Sequence, residues 1–317
     1  MKYGFGVDLG GTTVKIAYFD ETGNMLDKWE IPTVTDDGGS QILPDIAASI
    51  AQYRTVKGIA EADLLGIGIG VPGPVDSKGN INRCVNLGWG VFNITKTLSD
   101  LTGLPVAAGN DANVAALGEF WKGGGKGCRN MVFVTLGTGV GGGIVINGAI
   151  WDGFNGFAAE IGHMIISRGG RECACGKRGC LEAYCSATAL IKETKRIMSL
   201  YPDSLMWQKA GGKLDGVSGK TAFEAAREDD FAARLVIEDY IDALAVGVSN
   251  IVNIFQPHVV CIGGGISREG DNLMKPLHDR VERMSFGLKQ GRARVEAAKF
   301  RNDAGIIGAA LLGLQNA

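Results

Sequence analysis

Cys173, Cys175 and Cys180 fall within the eight residues CACGKRGC, and His163 stands ten positions before the first of them. Three thiolates and one imidazole suit tetrahedral zinc and leave no position for water, so the set reads as a structural metal site. Gly176 and Gly179 would help the chain fold back around an ion. The spacing is not the common C-x-x-C pair, and a C-x-C redox pair stays open as the alternative. A carboxylate, Glu182, follows two residues after the last cysteine.

Asn110 and Asp111 stand in GNDANVAALGE, just before an apolar helical pattern. Asn and Asp are preferred helix caps, which is one account of them. The other is that Asp111 takes a proton from an attacking hydroxyl, as phosphoryl transfer requires, with Asn110 binding a neighbouring hydroxyl. Spacing alone does not choose between the two.

Glycine supplies a third group of candidates. DLGGTTVK holds Asp8, Gly10, Gly11, Thr12, Thr13 and Lys15; TLGTGVGGG holds Gly137, Thr138 and Gly139; CIGGGIS holds Gly263, Gly264 and Gly265. Glycine lets backbone N–H groups approach a phosphate closely, and threonine adds a hydroxyl donor. Asp8 suits Mg²⁺ held through water. Each cluster alone is also explained as a tight hairpin; together they favour a nucleotide. Gly137, Gly139 and Gly142 match G-x-G-x-x-G, but a strand pattern, IVING, follows where a Rossmann site needs a helix. No G-x-x-x-x-G-K-[ST] occurs, which excludes a P-loop.

The elements that must carry these residues are an α/β set. Residues 3–8 read as a strand, LGGTT as a turn, and two further strands complete a meander. Helices are expected at about 38–58, after Asn110, over 182–200, 230–255 and 270–285, and at the C-terminal DAGIIGAALLGLQNA. Residues 203–220 read as a polar connection and GGGKGCRN as a linker. A second strand–Gly-Thr turn–strand begins near 131, so the chain reads as a weak duplication giving two α/β lobes around a cleft. The lobes are expected at 1–117 with 303–317, and at 118–302 with the zinc loop.

Composition sets the outer limits. The chain has 317 residues, a formal net charge of -2, seven cysteines and 49 glycines. That length supports two domains. The mixed charge argues against a nucleic-acid partner. No run of about 18 apolar residues suggests a membrane span. The odd cysteine count, with Cys84, Cys128 and Cys261 far apart, argues for reduced thiols and a cytoplasmic protein. Cys185 reads as core, and His258 and His278 have no chemical neighbourhood.

Taken together, DLGGTTVKIA, TLGTGVGGGI, CIGGGIS, EIGHM and CACGKRGCLEAYCS resemble the ROK family (repressors, open reading frames, kinases) over nearly the whole chain. VNLGWG, GNDANVAALGE and NDAGIIGAA are similar to its bacterial glucokinases. The resemblance implies the actin-like ATPase (ribonuclease H-like) fold and ATP-dependent, Mg²⁺-requiring phosphorylation of glucose at the 6-hydroxyl, within carbohydrate metabolism. It implies Asp111 as catalytic base, and Asn110, Glu160, His163 and Glu182, with Gly73 nearby, as sugar ligands. It implies zinc on His163, Cys173, Cys175 and Cys180, with His163 serving zinc through one ring nitrogen and sugar through the other. A homodimer or homotetramer is also implied. N-acetylmannosamine, allose or fructose are alternative substrates, and polyphosphate an alternative donor. A sugar-sensing repressor of the family would need a helix-turn-helix before the first strand, and that strand is expected from Tyr3.

Overall fold

The structure, a computed structural model, describes residues 1–82, 84–287 and 293–315. The chain forms two compact units, Met1–Gly127 with Gly143–Ala159 and Asn302–Ala317, and Cys128–Gly142 with Glu160–Arg301.

In the first unit, β1 (Tyr3–Leu9), β2 (Thr13–Asp20) and β3 (Met25–Pro32) form an antiparallel meander. Helix α1 (Ile42–Lys57) begins later than the expected 38. Gly38 and Gly39, at φ +62° and +68°, interrupt the chain before it, and Pro44 falls in its first turn, where a proline is well tolerated. β4 (Leu64–Val71), α2 (Ile94–Thr102) and β5 (Val106–Asn110) follow, then α3 (Asp111–Lys122). The sheet order is β3-β2-β1-β4-β5, with β4 parallel to both β1 and β5.

The next strands are β6 (Met131–Leu136), β7 (Val140–Ile146) and β8 (Ala149–Ile150). Helices α4 (Ala187–Leu200) and α5 (Phe231–Phe255) precede β9 (Val259–Gly263), α6 (Asp271–Met284) and β10 (Arg294–Ala297). The second sheet runs β8-β7-β6-β9-β10, with β9 parallel to β6 and β10. Each sheet thus has an antiparallel hairpin on one side and parallel strands on the other, the pattern expected of a duplication.

Two expectations need correction. The helix over 182–200 is broken: a turn at Glu182–Cys185 ends at Ser186, whose extended backbone (ψ 158°) and side chain cap α4 through the Ala189 N–H. The connection over 203–220 contains a short helix, Leu205–Lys209. The last helix, α7 (Ala304–Gln315), covers most of DAGIIGAALLGLQNA; Asn316 and Ala317 lie outside the described residues.

Helix α7 is almost wholly apolar, and small residues let it lie close to its neighbours. A Cβ on Gly308 would meet the Val114 carbonyl of α3 at 1.7 Å, and one on Gly118 would meet the Ala304 carbonyl at 2.1 Å. The contact fixes α3, and with it Asn110 and Asp111. Among the described residues, no helix is long and apolar enough to cross a membrane.

Candidate active site

In the first unit the turn between β1 and β2 closes with a hydrogen bond from the Gly10 N–H to the Thr13 carbonyl at 3.0 Å. Gly11 and Thr12 are exposed at its tip. Asp8 ends β1 beside it. Its carboxylate is 3.4 Å from Lys15 Nζ, a loose ion pair, and that ammonium also donates to the Asn302 carbonyl. Burial raises the pKa of Asp8 above its ordinary value, with Lys15 pulling the other way. A buried anion so weakly compensated fits a hydrated cation. The first turn of α7 packs on the same group: a Cβ on Gly305 would be 3.0 Å from Asp8 Oδ1.

At the start of α3 the two adjacent polar residues divide the work. Asn110 is the cap; its Oδ1 accepts from the N–H groups of Ala112 (3.0 Å) and Asn113 (3.3 Å), and its Nδ2 donates to the Gly73 carbonyl. Asp111 is exposed and takes a bond from the Ala112 N–H. The cap therefore does not account for Asp111, whose carboxylate sits at the positive end of the helix.

In the second unit the turn between β6 and β7 closes from the Gly137 N–H to the Gly139 carbonyl at 3.0 Å. The Ala187 N–H and the Thr188 hydroxyl of α4 donate to the carbonyls of Gly137 and Thr138. The third glycine cluster lies against the same strand end. Gly264 has φ +83°, and a Cβ there would be 2.4 Å from the Leu136 carbonyl, so only glycine brings the chain this close. Gly263, Gly264 and Gly265 are thereby brought beside the turn of Thr138 and Gly139.

The zinc candidates converge. Ligand atoms of His163, Cys173, Cys175 and Cys180 all lie within 4.8 Å of one another. Cys175 and Cys180 have sulfurs 3.7 Å apart, and His163 Nδ1 is 3.8 Å from the Cys173 sulfur. Zn–S bonds of about 2.3 Å in a tetrahedron put sulfurs roughly 3.8 Å apart, so the donors fit that ion. Gly176 and Gly179, both with φ +84°, turn the loop back on itself, as their sequence positions suggested. Burial pushes the Cys173 thiol up to about 12 and raises Cys180, whereas the Lys177 N–H lowers exposed Cys175. Three thiolates here call for a cation. Cys185 is fully buried, as expected of core.

The other His163 nitrogen, Nε2, faces Glu160, 3.9 Å from its Oε2. Glu182 touches both the cysteine loop and the second glycine turn. Its Oε1 is 3.5 Å from the Cys173 sulfur and its Oε2 accepts from the Val140 N–H at 3.0 Å. A cavity of about 960 Å³ is lined by Thr138, Gly139, Cys173, Glu182, Thr188 and Lys192. Sequence reasoning missed Val140, Thr188 and Gly305. The first acts through its backbone, which carries no sequence signal; a glycine just after the start of an apolar helix was a faint sign of the last.

The ROK family model matches residues 4–316. The chain belongs to the ROK family. Its fold is accordingly the actin-like ATPase fold. It is 42% identical over 308 residues to a protein named glucokinase from Halalkalibacterium halodurans, covering 96% of this chain and 92% of that one. The crystal structure of a ROK family glucokinase from Streptomyces griseus in complex with glucose and AMPPNP superposes with a TM-score of 0.79 at 33% identity, covering 98% of both chains. A putative xylose repressor from Caldicellulosiruptor is 32% identical and has 76% of its length covered. The ROK chain thus has relatives named both as kinases and as repressors.

Proposed function

We propose that this ROK protein transfers the γ-phosphoryl group of ATP to the 6-hydroxyl of glucose. The observation that carries the reading is the exposed Asp111 carboxylate at the start of a helix that Asn110 caps, in a chain with two Gly-Thr hairpin turns. Asp111 takes the hydroxyl proton while O6 forms its bond to phosphorus and the bond to the ADP oxygen breaks. Gly73, Asn110, Glu160, His163 and Glu182 bind the sugar hydroxyls. Gly10 closes the first turn through its own N–H, and backbone N–H groups of Gly11, Thr12, Thr13, Thr138 and Gly139, with the Lys15 ammonium, meet the phosphate charge. Gly263, Gly264 and Gly265 pass under the adenosine.

Asp8 is the residue to hold Mg²⁺, which supplies positive charge at the phosphate oxygens when bound with the nucleotide. His163, Cys173, Cys175 and Cys180 are the residues to hold zinc, which supplies fixed bonds to the loop and leaves the chemistry to the chain. His163 Nδ1 faces the thiols, so Nε2 is left to orient a sugar hydroxyl with Glu160. The resemblance alone extends the reading to a homodimer or homotetramer in the cytoplasm, and light scattering of the purified chain tests the assembly.

The test of activity is ADP release from ATP over glucose, mannose, fructose, allose and N-acetylmannosamine, with polyphosphate as a second donor. Turnover fastest with glucose and ATP is expected. Turnover with no sugar overturns the kinase reading; preference for another hexose overturns the substrate alone.

A further inference from the structure

Helix α4 presents one face to the cavity of about 960 Å³ in the second unit. Thr188, Lys192 and Arg196 line it, each one helical turn after the last. The start of the helix is pinned to the second glycine turn. The Ala187 N–H donates to the Gly137 carbonyl at 2.7 Å, and the Thr188 hydroxyl to the Thr138 carbonyl at 2.8 Å. Helical side chains lean toward the N-terminus and cover the turn before their own. A lysine four residues after Thr188 can therefore bring its ammonium back over that threonine, toward Thr138 and Gly139, which line the same cavity.

The other cations of this cavity are already matched. Arg196 lies 2.7 Å from one oxygen of Glu193, and Arg171 lies 3.3 Å from the other oxygen and 2.9 Å from Asp239. Arg178 pairs with Glu172 at 2.6 Å. Among the described residues, no carboxylate pairs with Lys192. One uncompensated positive charge thus lines the cavity, and it lies on the helix pinned to the turn whose N–H groups are proposed for phosphate. Glu182, proposed for the sugar, lines the same space. The cavity therefore carries groups for both ends of a sugar phosphate.

We infer that Lys192 binds the transferred phosphoryl group, and that the cavity takes a hexose 6-phosphate with its phosphate between Lys192 and the turn of Thr138 and Gly139. The inference rests on the hexokinase reading above and adds a phosphate ligand to it. A lysine ammonium is a compact charge with three rotatable donors, so it can follow a phosphoryl group as that group changes oxygen partners. Glucose is neutral and offers this charge nothing to bind. A contact made with the moving phosphoryl group and not with the bound sugar acts on kcat and leaves sugar affinity alone.

The experiment uses the full chain with Lys192→Ala and Lys192→Arg. Lys195→Ala is the control, on the same helix but outside the cavity lining. Lys192 is exposed, so its loss leaves the packing intact. Lys192→Ala is expected to lower kcat about 10²-fold, the usual worth of one charge-stabilising donor, with KM for glucose within about twofold. By calorimetry it should bind glucose 6-phosphate about tenfold more weakly and glucose equally well. Lys192→Arg keeps the charge and should restore most of both, and Lys195→Ala should change neither. Unchanged glucose 6-phosphate binding in Lys192→Ala overturns the inference and leaves a solvated surface lysine. Equal weakening of glucose and glucose 6-phosphate overturns it too, since that is the mark of a structural role. Absence of turnover in the parent chain overturns the hexokinase reading instead. Calorimetry with inorganic phosphate then still decides Lys192: weaker binding in Lys192→Ala supports the anion site, and equal binding, or none in the parent, overturns it.

Discussion

Val140 donates its backbone N–H to Glu182 Oε2 at 3.0 Å, and so joins the second glycine turn to the first carboxylate after the cysteine cluster. The carbonyl of the same residue lies against Gly162, where a Cβ would come within 2.0 Å of it. One strand residue thus positions both the turn that carries His163 and the carboxylate of Glu182. Gly139 makes room for the bond, because a Cβ there would be 2.5 Å from Glu182 Oε2. The side chain can swing away, so Gly139→Ala should fold and yet displace the carboxylate. We expect KM for glucose to rise on the order of tenfold and the melting temperature to change by only a few degrees. Steady-state kinetics with thermal unfolding checks both; an unchanged KM would rule out Glu182 as a sugar ligand.

The division between Asn110 and Asp111 gives opposite expectations for neighbouring residues. Asp111→Asn should lower kcat by about 10²–10⁴-fold, the usual worth of a general base, with glucose binding within a few-fold. Its effect on stability should be below about 1 kcal/mol, the scale of one charge near a helix end. Asn110→Ala should cost roughly 1 kcal/mol, because the Asn113 N–H loses its cap while the Ala112 N–H keeps Asp111 as an acceptor. Kinetics, calorimetric sugar binding and urea unfolding on both variants separate the roles. Near-normal turnover in Asp111→Asn would end its assignment as the base.

Zinc in this arrangement would brace the sugar site. His163 and Cys173 reach Glu160 and Glu182 within a few ångströms, so loosening the loop should move both carboxylates. Titration with a chelator is expected to weaken glucose binding before far-ultraviolet circular dichroism changes. Cys175→Ser, at an exposed donor, should lower metal content and raise the glucose Kd with little loss of helix. Unfolding at the same chelator level, with binding intact until then, would make the metal a general brace of the unit.

The hairpin of each sheet was legible in the sequence because hydrophobic alternation and Gly-Thr turns mark hairpins directly, whereas the short edge strand Arg294–Ala297 was not expected. The convergence of His163, Cys173, Cys175 and Cys180 was legible too, since four donors close in sequence leave few arrangements. The break at Ser186 was not, because apolar periodicity runs on across it and only the cap interrupts it. Asp111 could not be separated from Asn110 by spacing; the cap geometry separates them. Val140 acts through an N–H that any residue has.

Asp8 carries a pH-dependent expectation. Burial raises its pKa above 3.8 in the folded chain, although Lys15 offsets part of the effect. The folded state therefore holds this proton more tightly than the unfolded state. Asp8's favourable contribution is then fully present below the unfolded pKa and is lost as pH rises through the folded one. At neutral pH the ionised Asp8 weakens the fold, and Asp8→Asn should raise the urea midpoint. The gain should shrink as pH falls through the raised folded pKa and vanish below the unfolded value of about 4, where Asp8 is neutral in both states. The same variant should lose ATP-dependent turnover, since the carboxylate proposed to hold Mg²⁺ is gone. Urea titrations of both proteins from acid to neutral pH, with ADP release at neutral pH, test the pair of effects. A stability difference independent of pH would show that the Asp8 charge is matched by Lys15, and that its buried position costs the fold nothing.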